Sequence, residues 1–194
     1  MTTILELLSR RTSTRAFLDQ PIPENVVHEI LEAGRLSPSG GNEQPWRFGV
    51  ITDKALIAEI AKLAGQPWIA AAPLIIALCA VTVEDERGGR DIQIQRFPEL
   101  KTQMESMDAG LYHALHMEEH QTKIAGAHME LAALERGLGC CWVSRFDVIG
   151  LAGLLELPQG IIPAELLVMG YPKTEKNPKD KKPLAEIAFF DRWK

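Results

Sequence analysis

The sequence predicts one domain of mixed helices and strands. Its 194 residues suit a single domain at roughly 150 residues each. Val26, Val27, Ile30, Leu31 and Gly34 recur at helical spacing. Residues 74–83 are instead nearly all apolar, with Val and Ile prominent, as in a central strand buried on both faces. With 46% hydrophobic and 24% charged residues, the balance is that of a folded chain and not a disordered one.

Along the chain, Thr3 and Glu6 form a Thr-x-x-Glu capping box ahead of Leu7 and Leu8, so a first helix starts there. Residues 10–14 are polar and β-branched, and suit an extended segment or turn. Pro21 and Pro23 precede the second helix, and the Ser, Pro and Gly residues at 37–41 make a loop. Residues 47–52 alternate as a strand. Asp53 caps a helix carrying Leu56, Ile57, Ile60 and Leu63. Residues 84–100 have mixed charge, Gly88, Gly89 and Pro98, and read as a long loop or lid. Helices are expected over 102–117 and 122–136, the second ended by Gly137. A short strand over 140–143, a helix capped by Asp147 with Ile149, Leu151, Leu154 and Leu155, and a strand over 165–171 follow.

The tail differs from the rest. Residues 173–182 hold five lysines and two acids, and Ile187, Phe189, Phe190 and Trp193 follow. Apolar groups at a chain end need cover, from a neighbouring subunit or from the chain's own core. Burying each is worth about 1.5–3 kcal/mol.

Composition excludes several functions. The net charge of −5 disfavours bulk nucleic-acid binding. Three cysteines without a Cys-x-x-Cys pair exclude a disulfide scaffold and a cysteine-type zinc site. The opening MTTILELLSRR lacks a positive segment before its apolar stretch, unlike a signal peptide, and no run reaches the roughly 20 apolar residues of a membrane span. A soluble, cytoplasmic protein is expected. Gly-x-Gly-x-x-Gly, Gly-x-Ser-x-Gly and Walker patterns are absent from the sequence. His113, His116 and His120 share a helical face, but Glu118 and Glu119 beside them make a solvated face the better reading than a metal site. Met104, Met107 and Met117 read as core filler.

Three segments are candidates for chemistry. In an extended segment, Arg11, Ser13 and Arg15 fall on one side. Two guanidiniums and a hydroxyl there make an anion site, although composition alone reads the segment as a solvated basic patch. Residues 38–46, PSGGNEQPW, combine glycines that permit close backbone approach with Asn42 and Gln44, whose amides suit the edge of a heterocycle. On this segment alone, an ordinary helix-to-strand loop plugged by Trp46 is the better reading. Residues 139–147 carry Cys140 and Cys141 on opposite faces of a strand, as buried thiols, with Ser144 and Arg145 at the strand end.

Together these segments resemble the nitroreductase family of FMN-dependent flavoproteins. Residues 11–17, RTSTRAF, are similar to its Arg-x-Ser-x-Arg/Lys-x-Phe motif, and residues 38–46 to its Pro-Ser-x-x-Asn-x-Gln-Pro-Trp loop. Ala72-Pro73, Gly137-Leu138-Gly139 with Trp142, residues 169–172 (MGYP) and residues 181–184 (KKPL) follow in the family's order. The resemblance covers most of the chain except about 84–121, where a lid or variable insertion is expected. It implies an α+β fold with a mixed, mostly antiparallel sheet flanked by helices. It also implies an intertwined homodimer with FMN in the interface and residues 173–194 extending onto the partner.

Carried over, the resemblance gives Arg11 and Ser13, with Thr12 between them, the phosphate, and gives Arg15 the flavin pyrimidine. Pro38, Ser39, Gly40, Asn42 and Gln44 come to the ring from the other subunit. Val143 and Ser144 pass its dimethylbenzene or N5 side. Lys181 stands where the family often has a phosphate-binding arginine, and offers a point charge without the bidentate fork. The implied reaction takes hydride from NADH or NADPH to flavin N5, and then to a nitroaromatic, quinone or related acceptor. It requires no protein acid or base, so no catalytic residue and no metal ligand is assigned. A flavin-binding module without turnover is the alternative, and reductive dehalogenation or flavin fragmentation are the variants within the superfamily.

Overall fold

A computed structural model of the chain describes residues 3–81, 94, 95, 97–107, 118–174 and 176–192, with the backbone alone of 118–120. The apolar run that begins at Leu74 forms its central strand. β2 (Leu74–Val81) is buried along almost its whole length. It pairs antiparallel with β1 (Trp46–Ile51) and with β4 (Ile161–Gly170). β3 (Gly139–Val143) pairs antiparallel with β4, so the order is β1-β2-β4-β3. Among the described residues the one parallel pairing is an isolated bridge, Ser13 to Cys140, on the outer side of β3.

Successive residues of a strand point to opposite faces. Leu74, Ile76 and Leu78 therefore pack with Ile30 and Met129, from helices α2 (Glu24–Arg35) and α5 (Glu118–Glu135). Ile75, Ala77 and Cys79 pack on the other face with Ile57, Ile60, Ile69 and Leu151. Those come from α3 (Lys54–Leu63), a 3₁₀ turn (Pro67–Ala71) and α6 (Val148–Leu154). The remaining helices are α1 (Ile4–Arg10), α4 (Lys101–Ser106) and the short α7 (Leu184–Ile187). Helices thus cover both faces of an antiparallel sheet, the predicted α+β class.

Local signals formed as expected. Thr3 and Glu6 close a reciprocal capping box. Asp53 and Asp147 accept from the amides of Leu56 and Gly150. Gly137, at φ 75°, ends α5, with amide bonds from Gly137 to Leu134 and from Leu138 to Ala133.

Three boundaries differ. The helix expected over 102–117 stops at Ser106, because Met107 turns extended at ψ 133°. α5 begins at Glu118, before the expected Thr122. β4 begins at Ile161, before the expected Glu165, because a bulge opposite Leu78 and Cys79 accommodates Pro163 in the strand. Glu165 itself is 3% exposed and pairs with Lys123 Nζ at 3.1 Å, which lets a carboxylate enter an apolar strand.

Ile149, on the helix capped by Asp147, stands 81% exposed. Ile187, Phe189 and Phe190 are also exposed. Most of the expected lid, 84–121, lies outside the described residues, as do Tyr112, His113, His116, Met117, Trp193 and the side chain of His120. Among the described residues no helix is long and apolar enough to cross a membrane, and no group of His, Cys, Asp and Glu is placed to hold a metal ion.

Candidate functional site

The N-terminal segment is held to the free edge of β3. α1 ends at Arg11, whose backbone turns extended at ψ 125°. The Thr14 amide donates to the Cys140 carbonyl at 3.0 Å. Gly139 permits this approach, since a Cβ there would overlap the Thr14 side chain. The chain leaving β4 then pairs with the same segment. The Leu18 amide donates to Tyr171 O at 2.9 Å, and the Lys173 amide to Ala16 O at 3.0 Å. This pairing brings the lysine-rich tail over the arginines.

The result is a cavity of about 200 Å³ lined by Arg11, Thr12, Ser13, Arg15, Lys176, Asn177, Lys179 and Lys181. Five of these side chains are cationic and none is acidic, so the cavity suits an anion. All four predicted residues of the N-terminal segment and Lys181 meet here. Lys176, Asn177 and Lys179 were not assigned from the sequence, although the run of lysines was visible in it.

Two further residues hold the arginines and carried no sequence signal of their own. Glu130 on α5 is 8% exposed. One of its oxygens lies 3.5 Å from the Arg11 guanidinium and the other accepts from Trp142 Nε1 at 2.9 Å. Trp68 lies under Arg15, with the guanidinium 5.9 Å from the ring centroid. Gln66 Oε1 accepts from the Trp68 indole at 3.0 Å.

Cys140 and Cys141, on the strand that carries the segment, are buried and free, as expected, and Cys79 on β2 is buried and free too. Burial pushes the Cys140 thiol well up, and the Glu130 charge adds to this. Burial also raises Cys141, while the Arg15 cation opposes the rise. These are packing thiols, not nucleophiles.

The second predicted segment has a different construction. Asn42 and Gln44 adopt left-handed backbone, at φ 58° and 51°, beside Gly41 at 56°. Non-glycine residues held there cost of order 1 kcal/mol each and cluster at ligand sites. α5 holds the loop at three points. Gln121 Oε1 accepts from the Gly40 amide at 2.6 Å, Thr122 Oγ1 donates to Pro45 O at 3.4 Å, and His128 Nδ1 lies 2.7 Å from Ser37 Oγ. Ser39 Oγ accepts from the Gln44 amide at 2.9 Å. Trp46 is buried and stacks on Phe48, so it does plug the core as well. Pro38, Gly40, Asn42 and Gln44 are exposed, Ser39 is half-buried, and none of them lines the cationic cavity of their own chain.

Val143 is buried in the sheet and Ser144 is exposed beyond its end. Ser144 borders a larger cavity of about 530 Å³, with Val148, Ile149, Ile161, Ile162 and Pro163 in its wall. Among the described residues no charged side chain lines it.

Comparison with known proteins bears on this arrangement. The model of the Nitroreductase family matches residues 8–171. A Thermus thermophilus protein named NADH dehydrogenase is 28% identical over 190 residues, covering 93% of this chain and 92% of its own. The Bacillus subtilis protein named FMN reductase [NAD(P)H] is 29% identical over 186 residues, covering 94% and 71%. Among solved structures, the hypothetical oxidoreductase YcnD from Bacillus subtilis superposes with a TM-score of 0.81 at 26% identity, over 100% of this chain and 75% of that one.

Proposed function

Because this chain belongs to the nitroreductase family, we propose that it is an FMN-dependent NAD(P)H oxidoreductase that reduces nitroaromatics, quinones or related electrophiles. The family relationship carries the class of enzyme and the cofactor, since the relatives are named as oxidoreductases that include an FMN reductase using NAD(P)H. The cationic cavity carries the placement of the cofactor.

The residues present fit FMN. A phosphate monoester carries about −1.5 to −2 charge at neutral pH. Arg11 and Arg15, three lysines and the Ser13 and Thr12 hydroxyls line one cavity, with no acid among its described lining residues. About 200 Å³ suits a phosphate end and not a whole flavin. The ring is therefore assigned outside it, toward Val143 and Ser144. When bound, FMN supplies the hydride transfer between nicotinamide and acceptor.

The chain's own residues bind, orient and set charge. Arg11 and Ser13 hold the phosphate, with Thr12 beside them and Lys181 adding a point charge. Arg15, backed by Trp68, places positive charge beside the pyrimidine, where negative charge develops on reduction. Pro38, Ser39, Gly40, Asn42 and Gln44 serve the ring of the partner's site, which agrees with their distance from the cavity of their own chain. The chain works as a homodimer; of the tail expected on the partner, residues 173–194, the part up to Lys181 stays over its own chain's cavity and the part after it is laid over the partner. Support comes from the tail's exposed apolar groups, Phe190 at 88% and Ile187 at 62%, and from Leu5 on α1 at 78%.

Anaerobic stopped-flow reduction tests the reading. NADH or NADPH should bleach the flavin absorption, and an acceptor panel should restore it. A colourless protein that ignores added FMN overturns it. Sedimentation should give a dimer, and a stable lone protomer removes the shared site.

A further inference from the structure

Behind the cationic cavity sits a carboxylate that does not line it. Glu130 projects from α5 toward β3 and the N-terminal segment and is 8% exposed. Its Oε2 accepts from Trp142 Nε1 at 2.9 Å, while Oε1 lies 3.5 Å from Arg11 Nη1. With one oxygen committed to an indole fixed in a strand, the carboxylate has little freedom to swivel. Arg11 presents five N–H donors on a long stem. An acceptor behind it restrains that stem and leaves the other donors for the cavity, toward which the 26%-exposed side chain opens. The fully buried Cys140 thiol feels both charges, raised by Glu130 and lowered by Arg11, which places the pair beside one point in the core.

We propose that Glu130 is a positioning residue for the cofactor's phosphate: braced by Trp142, it pre-orients the Arg11 guanidinium, so that a phosphomonoester meets it without reorganisation. The inference rests on the reading of the cavity as the phosphate end of an FMN site. A carboxylate near a phosphate repels it, so Glu130 opposes binding by its charge. It serves binding only through the geometry it imposes on Arg11. That difference in sign makes the role testable.

The test compares riboflavin with riboflavin 5′-phosphate, because their affinity ratio isolates the phosphate. Both are titrated by fluorescence against the full chain, Glu130→Ala, Glu130→Gln, Arg11→Ala and Arg11→Ala/Glu130→Ala. Glu130→Ala should lower the ratio about tenfold by loosening a charge-assisted contact, with riboflavin affinity unchanged. In the Arg11→Ala background the same substitution should change the ratio by less than about twofold, because Glu130 acts through Arg11. Glu130→Gln keeps an acceptor for Trp142 but loses the second oxygen's bond. It should lower the ratio too, and it carries the test if the alanine variant does not fold.

An unchanged or increased ratio, an equal loss for both ligands, or the same fall in both backgrounds overturns the proposal. A native chain that binds neither ligand overturns the cofactor reading instead.

Discussion

The cationic cavity and the loop at residues 37–46 are built on opposite principles. The cavity is made of side chains. Its backbone is extended and ordinary, and its character comes from five cations converging from two ends of the chain. The loop is made of backbone. It carries no cation, and its shape comes from three left-handed residues, Gly41, Asn42 and Gln44, clamped by Gln121, Thr122 and His128 of one helix. Charge reads a phosphate at a distance and tolerates mobility. A heterocycle edge needs donors and acceptors at defined positions, and that requires a rigid main chain. α5 serves both regions, since it also carries Glu130 behind Arg11.

Substitutions should separate the two regions. The largest effect is expected from Arg11→Ala, which removes a charge-assisted partner worth about 1.5–3 kcal/mol. FMN affinity should fall ten- to a hundredfold while riboflavin affinity holds, measured by fluorescence titration. Unchanged FMN affinity removes Arg11 from the phosphate.

The next effect concerns the buried thiols of the sheet. Burial raises Cys79 from the ordinary thiol value of 9.0 to about 11, and raises Cys140 and Cys141 as well. The unfolded chain therefore releases these protons first. Stability is whole below pH 9 and falls as pH rises toward 11. Urea midpoints measured between these values should decline, and Cys79→Ala should flatten the decline. A midpoint constant over that range contradicts the burial of these thiols.

A smaller effect is expected from Asn42→Val. A β-branched residue in left-handed backbone costs about 1–2 kcal/mol, felt in the loop and in flavin-ring binding. The affinity ratio between FMN and riboflavin should stay as it was, and a change in that ratio would erase the distinction between the regions. The smallest is the pair Lys176→Gln and Lys179→Gln. Both lysines are exposed, so together they should weaken FMN binding by only a few-fold. The deficit should shrink in high salt, where exposed charges are screened beyond about 10 Å at 0.1 M.

Much of this was legible in the residues, and the pattern of misses is physical. β2 was visible as a continuous apolar run, α2 as a periodic face, and the caps at Thr3, Asp53 and Asp147 as short motifs. Each depends on neighbours within one element. The start of β4 was hidden because Pro163 argues against a strand, and only the bulge opposite Leu78 and Cys79 removes the objection. The break at Met107 carried no local signal. Ser13 and Arg15 were readable as an anion site, yet composition alone favoured a solvated patch. The tail lysines were noted as a charge run without a destination.

The sequence by itself determined the class of fold, the caps, the buried strand and the order of motifs that marks the family, because these rest on periodicity and on contacts a few residues apart. Only the tertiary structure decided that the tail lysines close over Arg11 and Arg15. It alone also decided that Glu130 and Trp142 stand behind the first of these, and that the loop's residues do not line their own chain's cavity. Those outcomes depend on pairings such as Leu18 with Tyr171 and Lys173 with Ala16, which join segments more than a hundred residues apart and leave no mark on either segment alone.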